Sequence, residues 1–202
     1  MTISPGSSWG EPFPDRVALE QLPVAASDAE LAEFAGRANG GRFRLTGGDL
    51  FRTLGSPDPT RGARGEAMCF PVDLLEVALG DDRVRYAIAH VVARRGRWWA
   101  HRTVVVMNAS FVGTLNLGPK AHPNDGRADA TDGRLGRRDR WSARHRMASG
   151  THLPHPELSV TRRAELSFDF AEPTPIILDG EPNGETRHLS VRVIPDAFEV
   201  VA

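Results

Sequence analysis

Strand-length apolar segments follow one another from Met68 to the C-terminus, and this succession constrains the fold more than any other feature. Residues 68–79 and 83–93 flank Gly80-Asp81-Asp82, which is the layout of a β-hairpin. Residues 103–109 form a valine-rich run typical of a strand that is buried on both faces. Further strands are predicted at residues 111–117, 164–170, 175–178, 188–194 and 198–201. We therefore predict that this part of the chain is mainly β.

The first third of the chain has a mixed pattern. Residues 17–24 are predicted to form a short strand, and Ser27 and Glu30 have the spacing of a capping box that opens a helix. A second strand is predicted at residues 42–46, followed by a short helix. The fold class is therefore α+β, mainly β, with a β-sandwich-like main lobe and a short α/β N-terminal portion. We predict a flexible arm, an α/β part and a β-rich domain over residues 1–14, 15–60 and 61–202.

The bulk properties exclude several classes of protein. The formal net charge is -1, so no global field attracts nucleic acid or an anionic membrane. The single cysteine, Cys69, cannot form an internal disulfide and lies in an apolar run. The N-terminal residues lack the basic and apolar regions of a secretory signal, and no window reaches the length of a membrane span. We therefore expect a cytoplasmic protein without a transmembrane segment.

Asp179-Gly180-Glu181 is the first candidate catalytic segment, and it follows the predicted strand at residues 175–178. The glycine allows a sharp turn, so both carboxylates can face one cleft. Closely spaced carboxylates raise one another's pKa, and one of them could act as a general base or hold Mg²⁺. Asp-Gly is also a strong hairpin signal, so a solvated turn without chemistry remains the alternative.

Two further segments are candidate ligand sites. Residues 118–129 form a polar, glycine-containing loop in which Asp125 and backbone carbonyls are suitable ligands for Mg²⁺ or Ca²⁺. Gly47, Gly48 and Asp49 precede a predicted helix whose first amides could hold a phosphate. A polar turn without metal and a plain strand-to-helix connection remain the respective alternatives.

Taken together in this chain order, the three segments resemble the diacylglycerol kinase and sphingosine kinase family of lipid kinases. The family has a G-T-G-N-D-F-A-R-x-L-G stretch, which Thr46, Gly47, Asp49, Arg52, Leu54 and Gly55 match, while Leu45 and Gly48 differ. Its P-x-A-x-x-x-D-G loop, Gly-x-His stretch, D-G-E motif and closing strand are similar to residues 119–126, 150–152, 179–181 and 189–195. The resemblance runs from about residue 45 to the C-terminus.

The resemblance implies a role for individual residues. Glu181 would be the catalytic base, with Asp179 beside it. A structural Mg²⁺ would be held by Asp125 and by nearby carbonyls, those of His122 and Arg127. The main lobe would be a β-sandwich-like domain of the lipid-kinase type that takes a lipid or small-molecule ligand.

One departure from the family pattern changes the expected activity. The family holds the ATP phosphates with a G-G-D-G-T loop ahead of the G-T-G-N-D stretch, and the 202 residues carry no such loop. Residues 15–60 would then be a truncated remnant of the nucleotide-binding lobe, and we do not expect ATP to bind to the chain alone. We predict a degenerate diacylglycerol kinase-like protein that binds a lipid or related ligand with weak or no phosphotransferase activity. The alternative enzyme is an active lipid kinase completed by a nucleotide-binding partner or a second subunit.

Arginine and tryptophan crowd two other stretches. Arg94, Arg95 and Arg97 adjoin Trp98-Trp99, and six arginines between residues 134 and 146 accompany Trp141. Arginine with aromatic side chains could bind anionic lipid headgroups or could stack on RNA and neutralise it. A solvated helix and a hairpin tip are the structural alternatives. We favour lipid because the family's substrates are lipids, and a nucleic-acid-binding module is the alternative from a different class.

Overall fold

A computed structural model describes residues 9–38, 40–56, 66–81 and 83–202. The helices of these ranges are α1 (Arg16–Gln21), α2 (Asp28–Ala38), α3 (Asp49–Thr53) and α4 (Arg137–Met147). The strands are β1 (Glu11–Phe13), β2 (Val24–Ala25), β3 (Arg42–Leu45), β4 (Ala67–Ala78), β5 (Val84–Ala87), β6 (His90–Ala93), β7 (Thr103–Met107), β8 (Phe111–Val112), β9 (Leu115–Asn116), β10 (Ala128–Gly133), β11 (Leu158–Arg163), β12 (Glu165–Leu178) and β13 (Glu181–Val201). The prediction of a mainly β chain with a small helical content is confirmed.

One large sheet holds most of the strands together. Its order is β1-β4-β13-β12-β6-β7-β10-β11, and each neighbouring pair along this path is antiparallel. Strand β5 pairs with β4, and the short strands β8 and β9 form a separate hairpin. Because β13 pairs with both β4 and β12 over much of its length, it connects the two halves of the sheet.

The long strands β12 and β13 each contain segments that were predicted as separate strands. The predicted breaks are register shifts within continuous strands, one between Asp169 and Thr174 and one between Ile194 and Phe198. Asp196 lies in the second shift with a φ of 50°. A β-bulge of this kind bends a strand without ending it, which explains why turn-forming residues occur inside these strands.

The N-terminal portion extends the same sheet. Strand β3 runs parallel to the end of β13, and β2 runs parallel to β3. The predicted strand at residues 17–24 is wrong over most of its length, because α1 lies there, with the Asp15 carboxylate accepting the amide of Ala18 at 3.0 Å. Of the predicted arm, residues 1–8 lie outside the described residues, whereas β1 pairs with β4. The predicted domain boundaries remain predictions.

The apolar core is arranged in clusters on the sheet. One cluster packs side chains of the large sheet against each other, among them Leu75, Val106 and Val191. Another packs α2 and α3, through residues such as Leu31 and Leu50, against the region where β4, β13 and the β5–β6 connection meet. This second cluster fixes the α2 and α3 N-termini beside the turn that follows β12. No helix in the described ranges is long and apolar enough to cross a membrane.

Candidate functional site

The carboxylate of Asp179 is buried at the turn between β12 and β13. Its Oδ2 accepts the backbone amide of Ile88 at 2.7 Å, and its Oδ1 accepts those of Ala89 and His90 at 2.9 Å each. The amide of Asp179 in turn donates to the carbonyl of His90 at 3.1 Å. The side chain is 1% exposed. Asp179 therefore connects the β12–β13 turn with the segment between β5 and β6. Both of its carboxylate oxygens accept hydrogen bonds from backbone amides.

The imidazole of His90 lies between two carboxylates. Its Nδ1 is 3.7 Å from Oδ2 of Asp49 and 3.8 Å from Oδ1 of Asp179. The side chain is 2% exposed, and neither ring nitrogen has a hydrogen-bond partner within the described part of the chain. Asp49 also accepts the amide of Gly113 through both oxygens, at 2.9 and 3.0 Å. Asp49 thus connects the start of α3 with the β8–β9 hairpin and faces the histidine.

A third carboxylate, that of Asp28, caps α3. Asp28 is the first residue of α2 and is 4% exposed. Its oxygens accept the amides of Asp49 and Leu50, the latter at 3.1 Å. These two amides belong to the helix N-terminus that the sequence offered for a phosphate. In this structure a carboxylate of the chain itself accepts both of them.

Asp28, Asp49, His90 and Asp179 together form what we call the carboxylate–histidine cluster. Burial, followed by the charge of Asp179, raises the pKa of the Asp28 carboxyl to about 7. Burial also raises the pKa of Asp179, against the opposing influence of His90 and the three amides. Carboxylates that share a dry site favour protonation of one member, because the charged forms repel each other and are poorly solvated. The cluster can therefore hold a proton near neutral pH, while its buried oxygens support the fold.

The two glycines before α3 allow the close approach of Asp28. A Cβ on Gly48 would lie 2.5 Å from Oδ1 of Asp28, and the φ of Gly48 is 102°. A Cβ on Gly47 would lie 2.6 Å from the carbonyl oxygen of Ala26. The glycines are thus needed for packing against the connection from β2 to α2. That contact accounts for their presence without any bound phosphate.

Glu181 lies in a different environment from Asp179. It is exposed and lines a pocket of about 480 Å³ between α2, β5 and the turn after β12. No described residue forms an ion pair with its carboxylate, whereas the two arginines of the pocket are occupied: Arg37 pairs with Glu33 and Arg85 pairs with Asp81. Asp179 lines the same pocket, but its carboxylate is 1% exposed and accepts backbone amides, whereas the carboxylate of Glu181 is open to solvent.

The loop at residues 118–129 is organised around Asp73, which sequence reasoning did not identify. The Asp73 carboxylate is buried and accepts the amides of Gly126 at 2.7 Å and Asp196 at 2.9 Å. The Asn124 side chain donates to Asp196 at 3.0 Å. Burial raises the pKa of Asp73 to about 6. This carboxylate fastens the loop to the bulge of β13.

Of the predicted metal ligands, Asp125 and His122 are partly buried in this loop and Arg127 is exposed. Asp125 accepts the amide of Arg127 at 3.1 Å and forms an ion pair with Arg162, which also lies 3.3 Å from Asp129. Nδ1 of His122 accepts the amide of Asn124 at 3.2 Å. Among the described residues, no group of three His, Cys, Asp or Glu side chains could hold a metal ion. A metal site built from Asp125 and backbone carbonyls remains a prediction. In this structure the cation that faces Asp125 is the guanidinium of Arg162.

Three buried polar residues of the site were not identified from the sequence as site residues. The capping box at Ser27 and Glu30 predicted the helix that Asp28 begins, but none of Asp28, Asp73 and His90 was predicted as a site residue. Asp73 and His90 each lie in an apolar run, where a single polar residue is a weak signal in one sequence. Their partners lie far away along the chain: Asp179 is 89 residues from His90, and Asp196 is 123 residues from Asp73. Only the folded sheet brings these groups together.

Similar solved structures support the fold. A crystal structure of a proposed diacylglycerol kinase from Bacillus anthracis str. Sterne aligns with a TM-score of 0.66 and 14% identity, covering 92% of this chain and 79% of that chain. A second structure of a proposed diacylglycerol kinase from the same organism gives 0.67 and 12%, covering 92% and 80%. A third, described as a diacylglycerol kinase, gives 0.60 and 12%, covering 92% and 78%. At these identities the likeness shows the fold alone.

Comparison of sequences identifies the family. No curated protein matches the chain. The family profile of the YegS C-terminal NAD kinase beta sandwich-like domain matches residues 67–202, which is more than half of the chain. The lipid-kinase-like resemblance of the C-terminal lobe is thereby confirmed. The β-rich sheet, the D-G-E turn and this match lead to one conclusion: the chain belongs to the family of YegS C-terminal NAD kinase beta sandwich-like domains.

Proposed function

We propose that this kinase-like protein binds a lipid or a related ligand and has weak or no phosphotransferase activity on its own. The observation that carries the proposal is the contact between Asp28 and the start of α3. The amides of Asp49 and Leu50 donate to the Asp28 carboxylate, so they are not free to hold a phosphate. A phosphate placed there would have to displace the Asp28 carboxyl group from both amides.

The pocket beside Glu181 supports the same proposal. Phosphoryl transfer depends on positioning the phosphates and on neutralising their charge with cations. The arginines that line this pocket, Arg37 and Arg85, are both ion-paired with acidic side chains. Since the 202 residues also lack a G-G-D-G-T loop, the described part of the chain offers Glu181 as a base without a phosphate clamp beside it.

A phosphotransferase assay tests this function. The protein is incubated with Mg²⁺, radiolabelled ATP and diacylglycerol in detergent micelles, and the lipid fraction is counted. We expect the wild-type protein and Glu181→Gln to give counts at or only slightly above those of a sample without protein. Robust labelling of the lipid, far above the sample without protein and lost in Glu181→Gln, would contradict the proposal and show an active kinase with Glu181 as its base.

The second candidate function is an active lipid kinase that a second subunit or a partner completes. The observation that favours it is the free carboxylate of Glu181, which is exposed and has no ion-pair partner among the described residues. If a second copy of the chain completes the site, the specific activity should rise with protein concentration. A specific activity that stays at the blank level over the whole concentration range would exclude this form of the second candidate.

A further inference from the structure

The two stretches rich in arginine and tryptophan meet in one pocket. The connection between β6 and β7 contributes Trp98 and Trp99, and α4 contributes Trp141 from the opposite side. The pocket has a volume of about 940 Å³. Sites for small organic ligands have volumes of about 300–1,000 Å³, so the space suits a headgroup together with part of an apolar chain. The stretches are about forty residues apart in sequence, and only the fold makes them one surface.

The pocket carries a concentrated positive charge. Five arginines line it: Arg94, Arg97, Arg137, Arg140 and Arg144. None of the five forms an ion pair with any described acidic residue, and no acidic residue is among those that line the pocket. Arg94 instead stacks over the ring of Trp98 at 4.8 Å. Arginines in this protein otherwise often pair with acids, as Arg102 does with Asp132. The unpaired set therefore points to an anionic ligand.

The base of the pocket is apolar. Trp99 is 1% exposed and Met147 is 4% exposed, and both pack in one core cluster with Leu115 at its edge. The indole N–H of Trp99 is buried and has no hydrogen-bond acceptor among the described residues. A buried donor without an acceptor is uncommon, because leaving it unpaired costs free energy. A ligand with an acceptor oxygen near this wall would satisfy the group.

The outer edge of the pocket is suited to a membrane surface. Trp141 is 72% exposed, which is unusual for so large an apolar side chain. It lies on α4 among Arg137, Arg140 and Arg144. Tryptophan is enriched at membrane–water interfaces, and arginine near an anionic bilayer is attracted to its surface. An exposed aromatic ring can enter the headgroup layer of a membrane, and neighbouring guanidinium groups can contact its phosphates.

We propose that this pocket, the arginine–tryptophan pocket, binds a phospholipid with an anionic headgroup that is presented by a membrane. The phosphate contacts the arginines, and the start of the acyl chain packs on Trp99, Leu115 and Met147. Arginine suits this role because its planar guanidinium can donate two parallel hydrogen bonds to a phosphate. This inference rests on the proposed function: it names the class of lipid that the protein would bind. Phosphotransferase activity is measured in a separate assay, so the lipid-binding inference and the proposed lack of activity can each fail without the other.

The observations favour lipid over nucleic acid. The chain has a net charge of -1, and the five arginines of the pocket surround an apolar base. A non-specific nucleic-acid site is an extended basic groove with stacking platforms along it. A single concave site with separate charged and apolar parts fits an amphiphile better.

The test compares vesicle binding by matched variants of the full chain. Binding to phosphatidylcholine vesicles, with and without phosphatidate, is measured by co-sedimentation at two salt concentrations. Arg140→Gln with Arg144→Gln removes two charges of the pocket and leaves glutamine, which a helix tolerates well. The control, Arg83→Gln with Arg163→Gln, removes two exposed arginines outside the pocket lining. Circular dichroism verifies that both variants are folded.

We expect the wild-type protein and the control to bind only the vesicles that contain phosphatidate. The pocket variant should bind them about thirtyfold more weakly, since each arginine near an anionic surface contributes roughly a factor of five to binding. Equal binding to vesicles without phosphatidate, or an equal loss in the control, would overturn the proposal. Binding of inorganic phosphate or single-stranded RNA that is lost in the pocket variant, without any vesicle binding, would overturn it in favour of a free anion or a nucleic acid.

Discussion

Replacing Asp179 tests whether the first acid of the D-G-E motif belongs to the fold or to the chemistry. The carboxylate accepts three buried amides at 2.7, 2.9 and 2.9 Å. Asp179→Ala leaves all three unpaired, and at about 1–2 kcal/mol for each amide the free energy of unfolding falls by roughly 3–6 kcal/mol. The φ of Asp179 is 48°, a left-handed conformation that adds strain for alanine.

Asp179→Asn keeps the protein folded enough to measure. An asparagine oxygen can replace Oδ1 and accept the amides of Ala89 and His90, but its NH₂ group then faces the amide of Ile88. One unpaired donor predicts a loss of about 1–3 kcal/mol, well below that of alanine. Asparagine also tolerates a positive φ, so the backbone of the turn is not strained.

Urea denaturation followed by circular dichroism measures these free energies. Glu181→Gln is the matched control, because Glu181 belongs to the same turn and is exposed. We expect this control to change the free energy of unfolding by no more than about 0.5 kcal/mol. If Asp179→Ala and Glu181→Gln have the same denaturation midpoint, Asp179 does not fasten the turn and the reasoning is refuted.

Three further predictions concern neighbouring groups. Burial raises the pKa of the Asp28 carboxyl in the folded protein from 3.8 to about 7. The folded protein therefore binds a proton at Asp28 more tightly than the unfolded protein does. The free energy of unfolding should then fall as the pH rises from about 4 to about 7. Urea titrations across this range should show a difference between wild type and Asp28→Asn that changes by on the order of 4 kcal/mol, and a constant difference would contradict the shift. Gly48→Ala should destabilise the protein by about 1–3 kcal/mol more than Gly55→Ala. Both glycines have a positive φ, so the backbone strain is shared, but a Cβ would contact Asp28 only at Gly48. Equal melting temperatures of the two variants would show that this contact does not matter. Asp125→Ala should abolish any rise in melting temperature caused by Mg²⁺. The control Asp169→Ala, at an exposed residue, should leave that rise unchanged. Equal Mg²⁺-induced shifts in the two variants would contradict the assignment of a metal site to Asp125.

Local signals in the sequence predicted much of the fold. The Ser27 half of the predicted capping box is present, with the amide of Glu30 donating to the Ser27 hydroxyl at 3.2 Å, whereas the Glu30 carboxylate accepts the amide of Ala26, one residue before the predicted cap. The valine-rich run predicted β7, and all of its residues are buried. These elements depend on nearby residues or on one dense apolar run, so a single sequence contains their causes.

Other elements depend on partners that are distant in sequence. Residues 83–93 were predicted as one strand, but β5 and β6 are separated at Ile88 and Ala89, whose amides donate to Asp179. Strand β10 was not predicted because residues 128–133 include two aspartates and a glycine, which disfavour strands. It forms because β7 and β11 pair with it on both sides.

The candidate site was predicted in part for the same reason. The D-G-E motif gave Asp179 and Glu181, yet it did not show that one carboxylate is buried and the other is exposed. The glycines before α3 indicated a phosphate site, because free amides at a helix start attract anions. The competing anion is Asp28, and its position on α2 depends on the packing of that helix against the sheet.

Calorimetric titration of the folded protein with Mg²⁺-ATP tests the central claim most directly. The claim is that Asp28 occupies the amides at the start of α3, so that the chain alone does not hold nucleotide phosphates. The account predicts no saturable heat, for the wild-type protein and for Glu181→Gln alike. Saturable binding of one nucleotide per chain would contradict it and would show that a phosphate site forms in spite of the Asp28 contact.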